Sequence, residues 1–225
     1  MDHKITALKA QKRNPNRINV YLDGQFAFGL ARIVAAWLQI GQMISDEKIQ
    51  TLQSQDTNEV AYQKALHFLS YRQRSEDEIR RKMKDAGFDE EIAEIVLGRL
   101  RDAGMVSDAT FARGWVESRS ASKPRSRRAL TVELRRKGIS DEIIHEALAE
   151  TADESDLAYR AGLRYGKRLT QADWNTFRER LTAFLGRRGF SYGTIAPQVL
   201  KIWHELHSDQ GENQTLTEEE LDNYG

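Results

Sequence analysis

The sequence predicts a mainly α protein, built as tandem three-helix repeats in an elongated, curved array behind a small N-terminal β-hairpin and helix module. Three observations predict this. Gly87, Gly138 and Gly189 are evenly spaced at 51 residues, and each closes the same phrase: KMKDAGF, LRRKGI and FLGRRGF. Self-similarity at a fixed period of tens of residues is the mark of a repeat architecture. From Asp56 onward apolar residues keep helical spacing, and strand-like alternation is confined to about the first 30 residues.

Taken in order, Ile18, Val20 and Leu22 alternate with polar neighbours, Asp23-Gly24 follows, and Phe26 and Phe28 resume the alternation. Asp-Gly between alternating runs predicts a hairpin, because a type I′ turn needs positive φ at both central residues. ITALKAQ, from Ile5, reads as a third strand beside it. Two strands alone are marginal in water, so the sheet needs a cover. The apolar run ARIVAAWLQI, residues 31–40 with Gly41 after it, is expected as a covering helix, and SDEKIQTLQSQ, from Ser45, as a second helix.

Beyond Asp56 nine helices are expected, near 57–71, 75–86, 89–103, 108–121, 126–137, 141–150, 154–168, 171–188 and 191–207. Asp56 with Glu59, and Ser75 with Glu78, have capping-box spacing. The domains read as 1–55 (strand and helix module), 56–106, 107–152 and 153–207 (three-helix repeats) and 208–225 (acidic tail). Within each repeat the glycine takes the position after the last helical residue, where a left-handed backbone ends the helix without a Cβ clash. Ile79 and Met83, Leu130 and Leu134, and Leu181 and Leu185 lie eight and four residues before their glycines, on one helix face. Burying each of them contributes about 1.5–3 kcal/mol. Phe88, Ile139 and Phe190 suit the apolar contact that accompanies such a cap. Pro197 predicts a kink in the last helix or a later start.

Composition narrows the chemistry. The 225-residue chain has no cysteine, which excludes disulfides, thiolate metal sites and a thiol nucleophile. The start, MDHKITALKAQKR, has no apolar core of a secretory signal, and no apolar run approaches a membrane span. A cytoplasmic monomer without cofactor or membrane is expected. Lys and Arg total 34, as do Asp and Glu, yet from Ser208 onward there is no Lys or Arg and there are six acids. Setting those six aside leaves 28 acidic against 34 basic residues in the body, a balance that suits a polyanionic or acidic partner. The tail reads as a solvated terminus, with competition for the basic surface as the other reading.

Cations gather before each glycine: Arg80, Arg81 and Lys82 in the first repeat, Arg135, Arg136 and Lys137 in the second, Arg187 and Arg188 in the third. Cations in a last helical turn complement the helix dipole by about 0.3–1 kcal/mol each, which is the plain explanation. It fails for Lys123, Arg125, Arg127 and Arg128, at the start of a helix, where a cation is unfavourable. An anionic partner would explain them. A helix-turn-helix transcription factor is disfavoured, because the would-be recognition helices carry Asp89, Glu90, Glu91 and Glu94, or Asp141, Glu142 and Glu146, which phosphate repels. His3, His67 and His145 are isolated. His204 and His207 are one residue short of zinc-protease spacing, so neither metal nor catalysis is expected. No P-loop, GxGxxG or GxSxG is present. Trp37, Trp115, Trp174 and Trp203 read as core or repeat-interface residues, with Trp174 the one to test for partner contact.

The run from Ala61 to Arg119 resembles the RecX regulatory proteins. It carries Ala65-Leu66, Leu69, Arg72, Arg74, Ser75, Glu78 and Ile79, then Gly87-Phe88, then Asp108, Phe111 and Ala112. LRRKGI and LGRRGF continue the likeness, which covers about Ala61 to Leu206. No single motif is specific; the ordered series is. The resemblance implies tandem three-helix repeats, no enzymatic activity, and modulation of the RecA recombinase. Such a protein binds the RecA–DNA filament in its groove and limits filament growth, ATPase and strand exchange; some members also bind single- or double-stranded DNA. The family offers no fixed catalytic set. The expected contacts to RecA or DNA are therefore the basic residues above, with Arg72 and Arg74. The alternative is a sequence-nonspecific nucleic-acid-binding protein that competes for DNA.

Overall fold

A computed structural model describes residues 1–149 and 151–207; the acidic tail lies outside the described residues. The chain forms two units. Residues 1–111 with Lys137–Ile139 make the first, and Ala112–Arg136 with the residues from Ser140 make the second.

The first unit begins with a four-stranded antiparallel sheet, β1 Asp2–Ala10, β2 Arg17–Leu22, β3 Gln25–Ala31 and β4 Met43–Ser45, in the order β3-β2-β1-β4. Asp23 (φ 51°) and Gly24 (φ 87°) make the left-handed turn that Asp-Gly predicts. Ile5, Val20 and Leu30 are fully buried, one from each long strand.

Residues 31–40 depart from expectation. Only Val34–Trp37 forms a short 3₁₀ turn. Ala35 and Leu38, three apart, are buried, whereas Ile33, Trp37 and Ile40 are 65, 88 and 67 % exposed. The physical reason lies just beyond. Gly41 (φ 94°) donates its N–H to Ile5 O at 2.8 Å, and Ile5 N donates to Gln42 O at 2.9 Å. The chain is drawn into the sheet there, which leaves room for one turn and creates β4, a strand the sequence did not suggest. Trp37 is accordingly a surface residue.

The two helices expected at 45 and 57 are one, α1 Asp46–Leu69. Ser45 caps it, accepting from Lys48 N at 3.2 Å. Asp56 and Glu59 have capping-box spacing and cap nothing. Asp56 reaches sideways and accepts from Ala31 N (2.5 Å) and Arg17 Nη2 (2.8 Å). Glu59 is buried and pairs with Arg99 at 3.0 Å. These lateral bonds tie the helix to the sheet edge and to its neighbours. Leu52 of α1 joins the sheet's core, and Ala61 and Ala65 join the core of the first helical group.

That group is completed by α2 Glu76–Asp85 and α3 Glu90–Asp102. Then follow α4 Asp108–Ser122, α5 Arg127–Arg135, α6 Asp141–Ala149, α7 Glu154–Gly166, α8 Trp174–Arg187 and α9 Tyr192–His207. The fold is thus mainly α, with helices in threes after a small sheet. Pro197 lies inside α9, which neither starts late nor stops there.

All six register residues (Ile79, Met83, Leu130, Leu134, Leu181, Leu185) have no solvent exposure. Gly87, Gly138 and Gly189 have φ of 87°, 78° and 90°. At the first, Phe88 N donates to Met83 O (3.1 Å) and Gly87 N to Lys84 O (2.9 Å), the paired bonds of a Schellman cap. Phe190 N to Leu185 O (3.4 Å) and Gly189 N to Gly186 O (2.9 Å) repeat it.

Candidate partner-binding surface

The basic residues that sequence alone groups together separate, in the structure, into those that hold the fold and those that face solvent. In the first unit most are engaged. Arg72 Nη2 donates to Glu78 Oε1 at 2.9 Å, and Lys137 Nζ to the same oxygen at 2.5 Å. Burial alone would raise the Glu78 carboxyl, but these two cations outweigh it and hold it down to about 2. Arg74 lies over the Phe68 ring at 4.0 Å. Arg80 pairs with Glu90 (3.0 Å) and Glu94 (2.6 Å), and Arg81 with Asp77. Lys82 is exposed, 5.6 Å from the Phe68 ring centre.

One kind of contact, not indicated by the sequence, occurs within each unit. Ser75 and Ser126 cap α2 and α5 from fully buried positions. Ser75 Oγ donates to Lys137 O at 2.6 Å, and Ser126 N donates to Arg188 O at 3.1 Å. Both donors and both acceptors are 51 residues apart, so the period extends to this joint. The residue before one glycine turn binds the start of the preceding middle helix. The approach is close. A Cβ at Gly138 would lie 2.3 Å from Asp77 Cβ, and one at Gly189 2.5 Å from Ser126 Oγ; a Cβ at Gly87 would meet nothing within 4 Å. The sequence marks the serines but not their partners: both follow an arginine and open a helix, and the third position of the series is Phe177, fully buried and apolar.

In the second unit arginines crowd the turn between α4 and α5. Arg164 donates to Ser122 O (2.7 Å) and Ala121 O (3.1 Å), which caps the end of α4. Arg188 Nη1 donates to Pro124 O at 2.9 Å and stacks on Phe184 at 4.5 Å. Arg125 pairs with Glu133 at 2.9 Å. Burial, then the positive fields of Arg125 and Arg164, lowers Arg188 below the ordinary guanidinium value. Among the described residues one carboxylate serves this corner: Glu133, which also accepts from Trp115 Nε1 (2.8 Å) and Arg119 Nε (3.0 Å). Arg164 and Arg119 were not singled out by the sequence, because their partners are distant in the chain.

Around this corner Lys123, Arg127 and Arg128 are exposed, as is Arg187 at the end of α8. Among the described residues none of the four has a carboxylate within ion-pair distance; Arg127 Nη2 reaches Thr151 O at 3.3 Å. Arg135 pairs with Asp141 at 2.7 Å, and Arg136 is exposed. An uncompensated cation at a helix N-terminus is unfavourable within the chain and favourable to an anion outside it. Trp174 and Trp203 meet edge to face at 5.4 Å, and Trp203 stacks on His207 at 3.6 Å, so both indoles are used internally. No cluster of His, Asp and Glu suited to a metal occurs among the described residues, and no described helix is long and apolar enough to cross a membrane.

Comparison with known proteins places this architecture. Three family descriptions match: "Regulatory protein RecX N-terminal domain" over residues 3–45, "RecX, first three-helix domain" over 61–100, and "RecX, second three-helix domain" over 107–148. The regulatory protein RecX of Amycolatopsis mediterranei is 40 % identical over 157 residues, 68 % of this chain and 87 % of that one. Those of Levilactobacillus brevis and Bacillus subtilis are 32 and 30 % identical, over 94 and 91 % of this chain and 80 and 79 % of theirs. A crystal structure of regulatory protein RecX superposes with a TM-score of 0.69 at 28 % identity, covering 90 % of this chain and 99 % of that one. RecX from Lactobacillus salivarius, at 22 % identity and a TM-score of 0.57, shares the fold over 65 % of this chain and 97 % of its own. The sheet-plus-three-helix architecture is that of a regulatory protein. The chain belongs to the RecX family.

Proposed function

We propose that this protein binds the RecA–DNA filament and restrains it, lowering RecA ATPase, strand exchange and filament growth. It acts by binding rather than catalysis, as a monomer in the cytoplasm. The reading rests on family membership, and the observation that carries the site is the set of cations at the α4–α5 turn. Arg127 and Arg128 face solvent in the first turn of α5, which disfavours cations, and Lys123 faces it at the end of α4; beside them Arg125 pairs with Glu133, while Arg164 and Arg188 bond to backbone carbonyls. Such a corner suits phosphate or an acidic protein surface.

The test is RecA ATPase on single-stranded DNA with this protein added at well below one per RecA. Strong loss at that level is expected, because a groove-bound regulator acts on the filament as a unit. The second reading, simple competition for nucleic acid, is favoured by the same cations. It requires loss only as the protein approaches saturation of the DNA, binding to DNA without RecA, and a steep fall in affinity with salt.

A further inference from the structure

A second surface lies in the first unit, remote in character from the arginine corner. A groove of about 1240 Å³ opens between the end of β3 with its 3₁₀ turn and the flanks of α1 and α2. Arg32, Lys64 and Lys82 stand along it, all exposed. Among the described residues the one carboxylate in its lining is Glu59, buried and already paired with Arg99 at 3.0 Å. The same lining holds apolar side chains, Ile33 (65 % exposed), Tyr71 (70 %), Val60 and Ala36, beside the polar Asn14, Asn16 and Gln63. Exposed apolar side chains gathered in a concave surface mark an interaction site rather than ordinary surface.

We infer that this groove docks an acidic, leucine-bearing peptide segment of a protein partner. The cations select an anionic occupant. The wall favours aliphatic side chains over a run of stacked bases: Phe68 is covered, and Tyr71, although exposed, is a single phenol ring beside aliphatic Ile33, Val60 and Ala36. Phe68 has the Arg74 guanidinium over it at 4.0 Å and Lys82 at 5.6 Å. The Tyr71 hydroxyl is bonded to His67 Nε2 at 3.1 Å, with the rings edge to face at 5.1 Å. Base-stacking platforms need open rings. Cations and aliphatic side chains line one groove, so an amphipathic segment would set its glutamates against Lys64 and Lys82 and its leucine against Ile33.

The inference is independent of RecA. It is tested with the full chain and a short fluorescein-labelled peptide of glutamate and leucine, read by anisotropy. Binding is expected at low salt, with about tenfold loss when glutamine replaces glutamate and a like loss in Lys82→Glu and in Ile33→Asp. Both residues are exposed, so unchanged melting curves separate loss of docking from loss of fold. Failure of the peptide to bind would overturn the proposal. So would affinity indifferent to both variants, or an oligothymidylate that binds in the groove with the same dependence on Lys82.

Discussion

At the scale of single residues, the three periodic glycines do two different things. All three supply a left-handed backbone, but only Gly138 and Gly189 also admit a neighbour where a Cβ would sit. Gly87→Ala is expected to cost about 1 kcal/mol, the strain of positive φ alone. Gly138→Ala and Gly189→Ala should each cost about 1–3 kcal/mol more, through overpacking against Asp77 or Ser126. Thermal or urea unfolding of the three variants checks this ranking, and equal losses at all three sites would contradict it. Glu78 makes a second residue-scale prediction. Its folded value of about 2 lies below its ordinary 4.5, so the unfolded chain takes up more protons as pH falls. The stabilisation from Arg72 and Lys137 is therefore complete above 4.5 and disappears as pH drops toward 2. Melting temperature measured through that range should decline less steeply in Glu78→Gln. The glycines and the six core residues were legible because caps and helix faces are local in sequence. The bond from Ser75 to Lys137 was not, since it joins residues 62 apart and ends on a backbone carbonyl, which any side chain would offer.

At the scale of elements, the departures from expectation all trace to pairing with something distant. Residues 31–40 are apolar enough for a helix, yet Gly41 and Gln42 are claimed by Ile5, and one 3₁₀ turn remains. Asp56 and Glu59 imitate a helix start, yet α1 runs through them, and their carboxylates serve the sheet edge and Arg99. Local propensity cannot distinguish a cap from a lateral tie with the same spacing. Asp56→Ala tests that tie. It would leave Ala31 N and Arg17 Nη2 without their shared acceptor, at a cost of about 1–3 kcal/mol. Circular dichroism should show the helix retained while the melting point falls. If α1 were instead two helices with Asp56 as a cap, helical signal would be lost as well. The basic series behaved similarly. Arg80, Arg81 and Arg135 form ion pairs on their own or adjacent helices, as cations near helix ends often do, whereas Lys123, Arg127 and Arg128 have no such use among the described residues.

At the scale of the whole molecule, one phrase is written three times, and its spacing governs more than the helices. Buried core, left-handed turn and the bond from serine to the carbonyl before the next glycine all recur at the same 51-residue interval. A chain built this way can repeat a surface as well as a core, and here the surface carries positive charge where the helix dipole opposes it. The measurement that tests this most directly is inhibition of RecA ATPase by the triple variant Lys123→Ala, Arg127→Ala, Arg128→Ala, beside the unaltered chain. We expect the fold to persist, since these side chains are exposed, and about a tenfold or greater rise in the protein needed for half inhibition, the scale of losing a few charge-assisted contacts. Inhibition as potent as that of the unaltered chain, from a variant that melts at the same temperature, would contradict it.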